Sequence, residues 1–426
     1  MSREAGDRPA NVTPRQPECA RCGSCTVVCP VYRVTGRESA TARGKLHLLG
    51  TGLAEAPSAL YQDIFARCLL CGACEAVCPR DLPILALTTR ARSRFPAFYG
   101  RHGLRKVLAR KALASPGLLQ GLVRLGVGLR QINALPADSG LRLKLGLLEQ
   151  RPGAARSAEP ADSPARPAGE SVAGPLYFTG CLARYLQPSV AGATAKLARH
   201  ATGGDLHAPP GQRCCGLAAW AAGRPDEARQ LARQNIAAFA GTTGPIITSC
   251  ASCSSHLETY PDLFADDPGW REKARSFRAR VREFSSFFLE KTENLKFAAQ
   301  ETARLFYHDP CHLRFTGEGR EAPRRLLDLV ADCRRFEPDD GPHCCGQGGL
   351  FHLGYPDLAD QIFATACESA LATGPDIVVT TCSGCLMQWQ TGLAARHAPV
   401  RAVHLAVFMA SCLVPDSGER SRFFSF

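Results

Sequence analysis

CARCGSCTVVCP, at residues 19–30, returns as CLLCGACEAVCP at residues 68–79. Each copy has the spacing C-x2-C-x2-C-x3-C-P, in which three cysteines bind one iron–sulfur cluster and the fourth binds the neighbouring cluster. The two motifs therefore predict two cubane [4Fe–4S] sites with exchanged fourth ligands. The first set comprises Cys19, Cys22, Cys25 and Cys78, and the second comprises Cys68, Cys71, Cys74 and Cys29.

Structural zinc is the alternative for these cysteines, because CxxC pairs also bind zinc. A zinc ion is satisfied by two such pairs, whereas each motif here is a triple CxxCxxC followed by a further cysteine. The spacing thus favours iron–sulfur clusters. Pro30 and Pro79 follow the fourth cysteines. We expect these prolines to end the turns and to hold the fourth thiolates outward.

Two more cysteine sets lie toward the C-terminus, and both have the order C, CCG, CxxC at nearly equal spacing. Their members are Cys181, Cys214, Cys215, Cys250 and Cys253 in the first copy, and Cys311, Cys344, Cys345, Cys382 and Cys385 in the second. The four sets together use eighteen of the 21 cysteines. A chain that uses its cysteines in this way is expected to transfer electrons.

Each CCG set offers five thiols, one more than a cubane cluster uses. Adjacent cysteines can bind one centre only if the backbone turns sharply, and Gly216 and Gly346 supply the conformational freedom for that turn. A fifth thiolate is useful if it bridges two irons in an opened, non-cubane cluster. A cubane with a spare thiol, a redox disulfide and buried inert cysteines are the alternatives. The sequence therefore predicts one or two further [4Fe–4S] clusters in these sets.

The chain repeats itself around the CCG sets. The apolar run LYFTGC (176–181) matches LFYHDPC (305–311), and each reads as a short buried strand that ends at its cysteine. Pro225 and Pro356 are expected to begin the helices that follow each CCG. We predict two tandem α/β lobes with parallel sheets, related by a pseudo-two-fold axis, with the cysteine loops at the carboxyl ends of the strands. The apolar helix faces are predicted at Ala228, Leu231, Ile236 and Phe239, and at Ala359, Ile362, Phe363 and Ala370.

These patterns predict an α+β multidomain chain. Between the two motifs the near i, i+4 spacing of Leu60, Ile64 and Leu69, with Phe65 beside them, predicts a helix. This favours a helical ferredoxin-type module over a compact β-rich one. The predicted regions are a ferredoxin module (15–95), a basic amphipathic helical segment (96–151), a flexible linker (152–174), a first CCG lobe (175–290) and a second CCG lobe (303–412).

The net charge of +12 is concentrated in one segment. Residues 101–151 carry ten arginines and lysines against Asp138 and Glu149. This asymmetry predicts a docking surface for an acidic partner or for anionic lipid headgroups, with an ordinary covering of the ferredoxin module as the equal alternative. Nucleic acid is disfavoured because no aromatic side chains are interleaved for base stacking. Pro116 is expected to divide the segment into two helices.

The expected location is the cytoplasm, with peripheral attachment to the inner face of the cell membrane as an option. The N-terminal stretch is polar, unlike a secretory signal, and no apolar run approaches the roughly 20 residues of a membrane span. Cytosolic cysteines in this number are expected to be thiolates on metal rather than disulfides. Cys333, Cys367 and Cys412 fall outside every set, and Cys367 is predicted to be a core residue.

Polar residues surround Cys311 in the second repeat and are absent from the first. His308 and His312 could donate a proton or tune the second lobe's centre through a hydrogen bond. The structural alternative is a capped turn whose imidazoles already have partners. The sequence leaves both interpretations open. No Gly-rich dinucleotide fingerprint opens a helix after a strand, so no FAD or NAD site is expected on this chain.

The order of two CxxCxxCxxxCP motifs and two CCG repeats resembles the iron–sulfur subunits of flavin-dependent 2-hydroxyacid dehydrogenases, of the glycolate oxidase and D-lactate dehydrogenase type. CPVYRVTGRESATARGKLHLL (29–49) is similar to the same segment of that family. The resemblance implies that an FAD-binding partner oxidises the hydroxy acid. This chain would accept the electrons and pass them to quinone or another carrier. The chain departs from the family in keeping both final CxxC pairs complete.

Two complete CCG sets also resemble the catalytic subunit of heterodisulfide reductases, in which such a set holds a non-cubane cluster that cleaves a disulfide. The anaerobic glycerol-3-phosphate dehydrogenase type of iron–sulfur subunit is a third, more distant resemblance. The sequence therefore leaves open whether this chain only conducts electrons or also reduces a substrate. Under the first interpretation no residue on the chain is catalytic.

Overall fold

The computed structural model describes residues 19–131, 174–298, 303–315, 317–331 and 333–414. The N-terminal region is helical. Its helices are α1 (Ser24–Val28), α2 (Pro30–Thr35), α3 (Ala42–Leu49), α4 (Ala59–Ala66), α5 (Ala73–Ala76) and α6 (Ile84–Ser93), with 3-10 turns at Glu38–Ala40 and Gly52–Ala54. The helices between the two cysteine motifs confirm the prediction from that stretch.

Hydroxyl caps begin two of the helices between the cysteine motifs. Thr41 Oγ1 accepts from the backbone N–H of Gly44 at α3 (3.0 Å), and Ser58 Oγ accepts from Tyr61 N–H at α4 (3.2 Å). The helix predicted around Leu60 is confirmed as α4, in which Leu60 itself is 67% exposed. Tyr61 and Phe65 occupy the buried face instead, with their ring centroids 4.8 Å apart.

The basic segment begins as two helices, α7 (Gly103–Ala114) and α8 (Pro116–Gln131). Pro116 starts the second helix, as predicted. The remainder of the predicted segment, 132–151, lies outside the described residues, as does the predicted linker up to residue 173. Arg110 is buried, and it pairs with Glu227 of the first lobe at 2.5 Å.

The first lobe alternates helices with short strands. Its strands are β1 (Leu176–Tyr177), β2 (Ile246–Thr248) and β3 (Val281–Glu283). Its helices are α9 (Cys181–Tyr185), α10 (Pro188–Thr202), α11 (Leu217–Ala221), α12 (Pro225–Ala238), α13 (Ala251–Glu258), α14 (Tyr260–Leu263), α15 (Pro268–Arg280) and α16 (Phe284–Leu289), with a 3-10 turn at Thr292–Asn294.

The second lobe has the same alternation. Its strands are β4 (Ala303–Tyr307), β5 (Cys333–Phe336), β6 (Ile377–Thr380) and β7 (Arg401–His404). Its helices are α17 (Cys311–Arg314), α18 (Ala322–Leu327), α19 (Phe351–Gly354), α20 (Pro356–Ala372), α21 (Ser383–Ala395) and α22 (Leu405–Cys412), with a 3-10 turn at Gly317–Arg320. The predicted helix starts at Pro225 and Pro356 are confirmed.

Both sheets are parallel, as predicted. Their strand orders are β1-β2-β3 in the first lobe and β5-β4-β6-β7 in the second. In the second lobe, β5 pairs with the outer edge of β4. The corresponding edge of β1 in the first lobe has an isolated parallel bridge, between Leu176 and His207. Cys181 and Cys250 follow β1 and β2, while Cys311 and Cys382 follow β4 and β6. The cysteine loops therefore lie at the carboxyl ends of the strands.

The two lobes share their apolar core. One cluster joins Phe178 and Phe239 of the first lobe to Phe363 and Trp389 of the second. The predicted apolar faces of α12 and α20 are buried in the cores, which confirms them, and Cys367 lies among them as predicted. The ferredoxin helices pack on the second lobe, because Phe65 and Tyr61 belong to a cluster that contains Tyr355.

Candidate metal centres

The two ferredoxin motifs adopt the same backbone turn. Arg21 (φ 54°) and Gly23 (φ 84°) flank Cys22, and Leu70 (φ 56°) and Gly72 (φ 82°) flank Cys71 in the same left-handed region. Glycine adopts this region freely, but other residues rarely do. The repeated pair of left-handed residues curls each CxxCxxC loop. The helices α1 and α5 begin directly after Gly23 and Gly72, so the third cysteine of each motif lies in a helix.

The structure brings the fourth cysteine of each motif to the other motif. One apolar pocket is lined by Cys19, Cys22, Cys25, Cys74 and Cys78, together with Ala42, Leu46, Leu82 and Ile84. Cys29 leaves its own motif and lies beside Cys68 and Cys74. Burial raises the pKa of the Cys29 and Cys74 thiols. Thiolates at these places need a nearby cation, which a metal centre provides.

In the first lobe the five cysteines gather around the turn at Gly216, whose φ of 98° confirms the predicted sharp backbone turn. The Sγ atoms of Cys181 and Cys214 are 3.8 Å apart, and the hydrogen bond from Cys181 lowers the pKa of Cys214. Cys253 lies against both Cys215 and Cys250. All five predicted residues of this set are thus together.

In the second lobe Gly346 has a φ of 79°. A side chain there would also collide with α20, since a Cβ atom would lie 2.5 Å from the carbonyl oxygen of Ala359. A hydrogen bond from Cys344 lowers the pKa of Cys311, and one from Cys385 lowers the pKa of Cys345. The second set is gathered in the same way as the first.

The two CxxC loops face each other across the boundary between the lobes. The backbone N–H of Ala251 donates to Thr381 O at 3.0 Å, and Ser252 Oγ lies 3.2 Å from Cys382 Sγ. A hydrogen bond from Cys250 lowers the pKa of the Cys382 thiol. Sequence reasoning missed Ser252, and no local signal in the sequence could have indicated that it contacts the other lobe.

A cavity of about 300 Å³ joins the ferredoxin module to the second lobe. Cys71 lines it from the module, and Cys311 and Cys344 line it from the lobe. Arg314 and His343 add positive or polar groups to its wall. The second ferredoxin set and the second lobe's set therefore open on one common space.

The cysteine sets form one succession through the molecule. It runs from the ferredoxin module through the second lobe to the first. Its neighbouring members are Cys71 with Cys311 and Cys344, Cys345 with Cys385, Cys382 with Cys250, Cys253 with Cys215, and Cys214 with Cys181. Closely gathered, buried thiols are the donor set that iron–sulfur clusters require, and such clusters supply one-electron transfer when bound.

His312 connects three parts of the chain. Its Nε2 lies 3.4 Å from Leu70 O in the ferredoxin module, and its Nδ1 lies 2.8 Å from Ser252 Oγ in the first lobe. A carbonyl oxygen only accepts, so Nε2 donates to Leu70 O; in a neutral imidazole Nδ1 then accepts from the serine hydroxyl. His312 therefore has partners on both ring nitrogens, as the structural interpretation expected, but those partners adjoin cysteines of other sets.

His308 differs from His312 because it faces the centre of its own lobe. It is 2% exposed, and its Nε2 has no hydrogen-bond partner among the described residues. A ring nitrogen of His308 and the Sγ atoms of Cys345 and Cys385 all lie within 4.8 Å of one another. In the first lobe a different residue, His256, lies near the CCG turn, and burial lowers its pKa to about 4.

Comparison with known proteins agrees with this geometry. The sequence matches the 4Fe-4S dicluster domain family at residues 16–82 and the Cysteine-rich domain family at residues 176–258 and 305–390. The probable glycolate oxidase iron-sulfur subunit of Bacillus subtilis is 31% identical over 413 residues, which cover 91% of this chain and 92% of that protein.

Two further relatives differ in how much of this chain they cover. The glycolate oxidase iron-sulfur subunit of Escherichia coli is 26% identical over 395 residues, which cover 88% of this chain and 89% of that protein. Lactate utilization protein A of an Exiguobacterium strain is 30% identical over 230 residues, which cover 54% of this chain and 94% of that protein.

The fold and the gathered cysteines define an electron-transfer protein of the iron–sulfur class. Within that class, the chain belongs to the family of glycolate oxidase iron–sulfur subunits. Among the described residues, none of the helices is both long enough and apolar enough to cross a membrane.

Proposed function

We propose that this chain is the electron-transfer subunit of a glycolate or D-lactate dehydrogenase complex. It takes electrons from an FAD-binding partner subunit, which oxidises the hydroxy acid, and passes them to quinone or another carrier. The observation that carries the proposal is the succession of neighbouring cysteines from the ferredoxin module through both lobes. The glycolate oxidase and lactate utilization names of the relatives support the choice of substrate.

The proposal assigns four clusters to the chain. Two cubanes take the exchanged ferredoxin sets, the first with Cys78 and the second with Cys29 as fourth ligand. The gathering of Cys29 beside Cys68 and Cys74 supports this exchange. One further cluster in each CCG lobe takes that lobe's five cysteines. The order β1-β2-β3 matches β4-β6-β7, which supports a pseudo-two-fold relation of the lobes. The family matches at residues 16–82, 176–258 and 305–390 support the predicted division into a ferredoxin module and two lobes.

The partner subunit is proposed to dock on the exposed apolar face of α7 and α8. Leu104, Leu108, Leu118, Leu122 and Leu125 are exposed there, and exposed apolar patches commonly mark interaction sites. The basic side chains contribute less than their number suggests. Lys106 donates to Tyr99 O at 2.7 Å, and Lys111 pairs with Glu227 at 2.9 Å, so both are held within the chain. An anionic membrane surface is the other candidate for the same face.

Co-purification under anaerobic conditions tests this function. We expect the chain to arrive with a flavoprotein and with about sixteen irons, four for each of four cubane-sized clusters. Glycolate or D-lactate should reduce the clusters in the complex but not in the isolated chain. An iron content of no more than about eight would remove both lobe clusters from the proposal. Stoichiometric zinc would contradict the iron–sulfur assignment altogether.

Reduction of a disulfide substrate is the second candidate, and the cavity beside Cys311 and Cys344 favours it. The space is about 300 Å³ and its wall contains Arg314 and Arg320, which suit an anionic substrate. The test adds a mixed disulfide to the isolated, chemically reduced chain and follows reoxidation of the clusters. Turnover that is lost in Cys345→Ser, but retained in a directly reduced Cys22→Ser variant, would replace the first function with this one.

A further inference from the structure

The two lobes present different side chains at one equivalent position. In the aligned runs LYFTGC and LFYHDPC, Phe178 of the first lobe corresponds to His308 of the second. Phe178 is fully buried and packs beside Phe239, with ring centroids 6.3 Å apart. A phenyl ring offers no metal ligand, whereas an imidazole is a common one. Any direct role of this position must therefore be confined to the second lobe.

The backbone fixes the place of His308. It follows β4 directly, and its N–H donates to Val379 O at 2.8 Å, in continuation of the β4–β6 pairing. Its ring lies edge-on to Trp389, with centroids 5.4 Å apart and an interplanar angle of 60°. The imidazole is thus held between a sheet and a buried indole, with little freedom to turn toward solvent.

The His308 ring has a buried nitrogen without a hydrogen-bond partner among the described residues. Leaving a buried nitrogen without a partner is costly, so folded proteins seldom leave one in this state. The Nε2 atom of His308 is such a nitrogen among the described residues. The thiols of Cys345 and Cys385 are within 4.8 Å of the ring and of each other. One nitrogen and two thiols at this separation could surround a single metal ion.

We propose that His308 is a nitrogen ligand of the metal centre in the second lobe, beside Cys345 and Cys385. The inference rests on the proposed presence of a cluster in that lobe and makes the two lobes chemically different. The imidazole joins the five thiolates of that set as a neutral ligand, in the way that histidine binds iron in Rieske clusters.

Nitrogen hyperfine spectroscopy tests the ligand directly. The full chain is prepared with ¹⁵N-labelled histidine, loaded with iron, reduced in steps and examined by electron–nuclear double resonance. We expect a strong histidine nitrogen coupling that is absent from His308→Phe and His308→Cys. The Cys variant supplies a thiolate, so it should keep the wild-type iron content and lower the potential at which the second lobe is reduced. His256→Gln, in the first lobe, should retain the coupling.

Two outcomes would overturn the inference. Either the strong coupling persists in His308→Cys, or wild-type protein with its full iron content shows only the weak coupling of a hydrogen-bonded imidazole. In both cases the proposed electron-transfer function stands. If instead the wild-type chain contains only the iron of the ferredoxin module, and Cys345→Ser contains the same amount, the second lobe holds no cluster. That result would remove the inference and the proposed cluster count together.

Discussion

The second CCG lobe adjoins the ferredoxin module through its candidate metal site, whereas the first lobe adjoins it at Ala221, outside its own five cysteines. Cys311 and Cys344 share a cavity with Cys71. The contact with the first lobe is made by Arg92 of the module. Its guanidinium donates to Ala221 O of the lobe at 2.6 Å and to Cys68 O of the module at 2.6 Å. One repeat has therefore kept its fold while its cysteines face a different neighbour.

This difference gives electron transfer through the molecule a defined order of centres. Electrons that enter or leave through the second ferredoxin set meet the second lobe first, and the paired CxxC loops at Cys250 and Cys382 then lead to the first lobe. The first lobe's Cys181 lies near α8, since Leu119 and Val123 pack around it. The exposed leucines of that helix therefore put the proposed docking face at the far end of the succession, opposite the end at Cys71.

Loss of one ferredoxin ligand should have the largest effect of any single change. We expect Cys71→Ser to lose the second cubane, much of the helical module and all electron transfer to the lobes, because folding and metal binding are coupled where ligands are dense. Visible absorbance, iron content and circular dichroism measure the result. Cys22→Ser, whose thiol is exposed, is the matched control in the first set. Full absorbance and full transfer in Cys71→Ser would contradict the assigned ligands.

Substitutions within the CCG turns should distinguish the roles of the two lobes in electron transfer. Cys345→Ser should remove about four irons, those of the second lobe, and should block reduction of the first lobe through the ferredoxin module. Cys215→Ser should remove a similar amount of iron from the first lobe but leave the second lobe reducible. Stepwise reduction followed by electron paramagnetic resonance distinguishes the two variants. Identical behaviour of both would remove the direction inferred from the cavity at Cys71.

Much of this arrangement could be predicted from spacing alone, because ligand spacing and helix starts are local properties. The strand ends at Cys181 and Cys311 and the helix starts at Pro225 and Pro356 are of this kind. The approach of Ser252 to Cys382 could not be predicted, since it depends on how two lobes pack. Leu60 shows the same limit within one helix, because its spacing predicts the helix, whereas tertiary packing decides which side chains of that helix are buried.

Removal of a buried arginine should have an intermediate effect on the contact between α7 and the first lobe. Arg110→Ala leaves Glu227 with Lys111 alone and removes a well-packed stem, at a cost of about 1–3 kcal/mol in local opening free energy. Hydrogen exchange of the α7 amides measures that loss. The control is Arg105→Ala on the exposed side of the same helix, which should change it by less than about 0.5 kcal/mol. Equal protection in the two variants would show that the ion pair contributes nothing to this contact.

Substitution of the exposed leucines of α7 should have the smallest effect on stability but a large effect on assembly. Leu104 and Leu108 are 59% and 60% exposed. Replacing both with serine should alter stability by less than about 0.5 kcal/mol per site, because little apolar area is already buried there. If the flavoprotein docks on this face, co-purification with the partner should weaken at any salt concentration, since the lost interaction is apolar. Leu60→Ser is the matched control, because Leu60 is 67% exposed but lies on α4. Should the double variant retain the partner and instead lose binding to anionic vesicles, the face belongs to the membrane; should it retain both, the partner docks elsewhere on the chain.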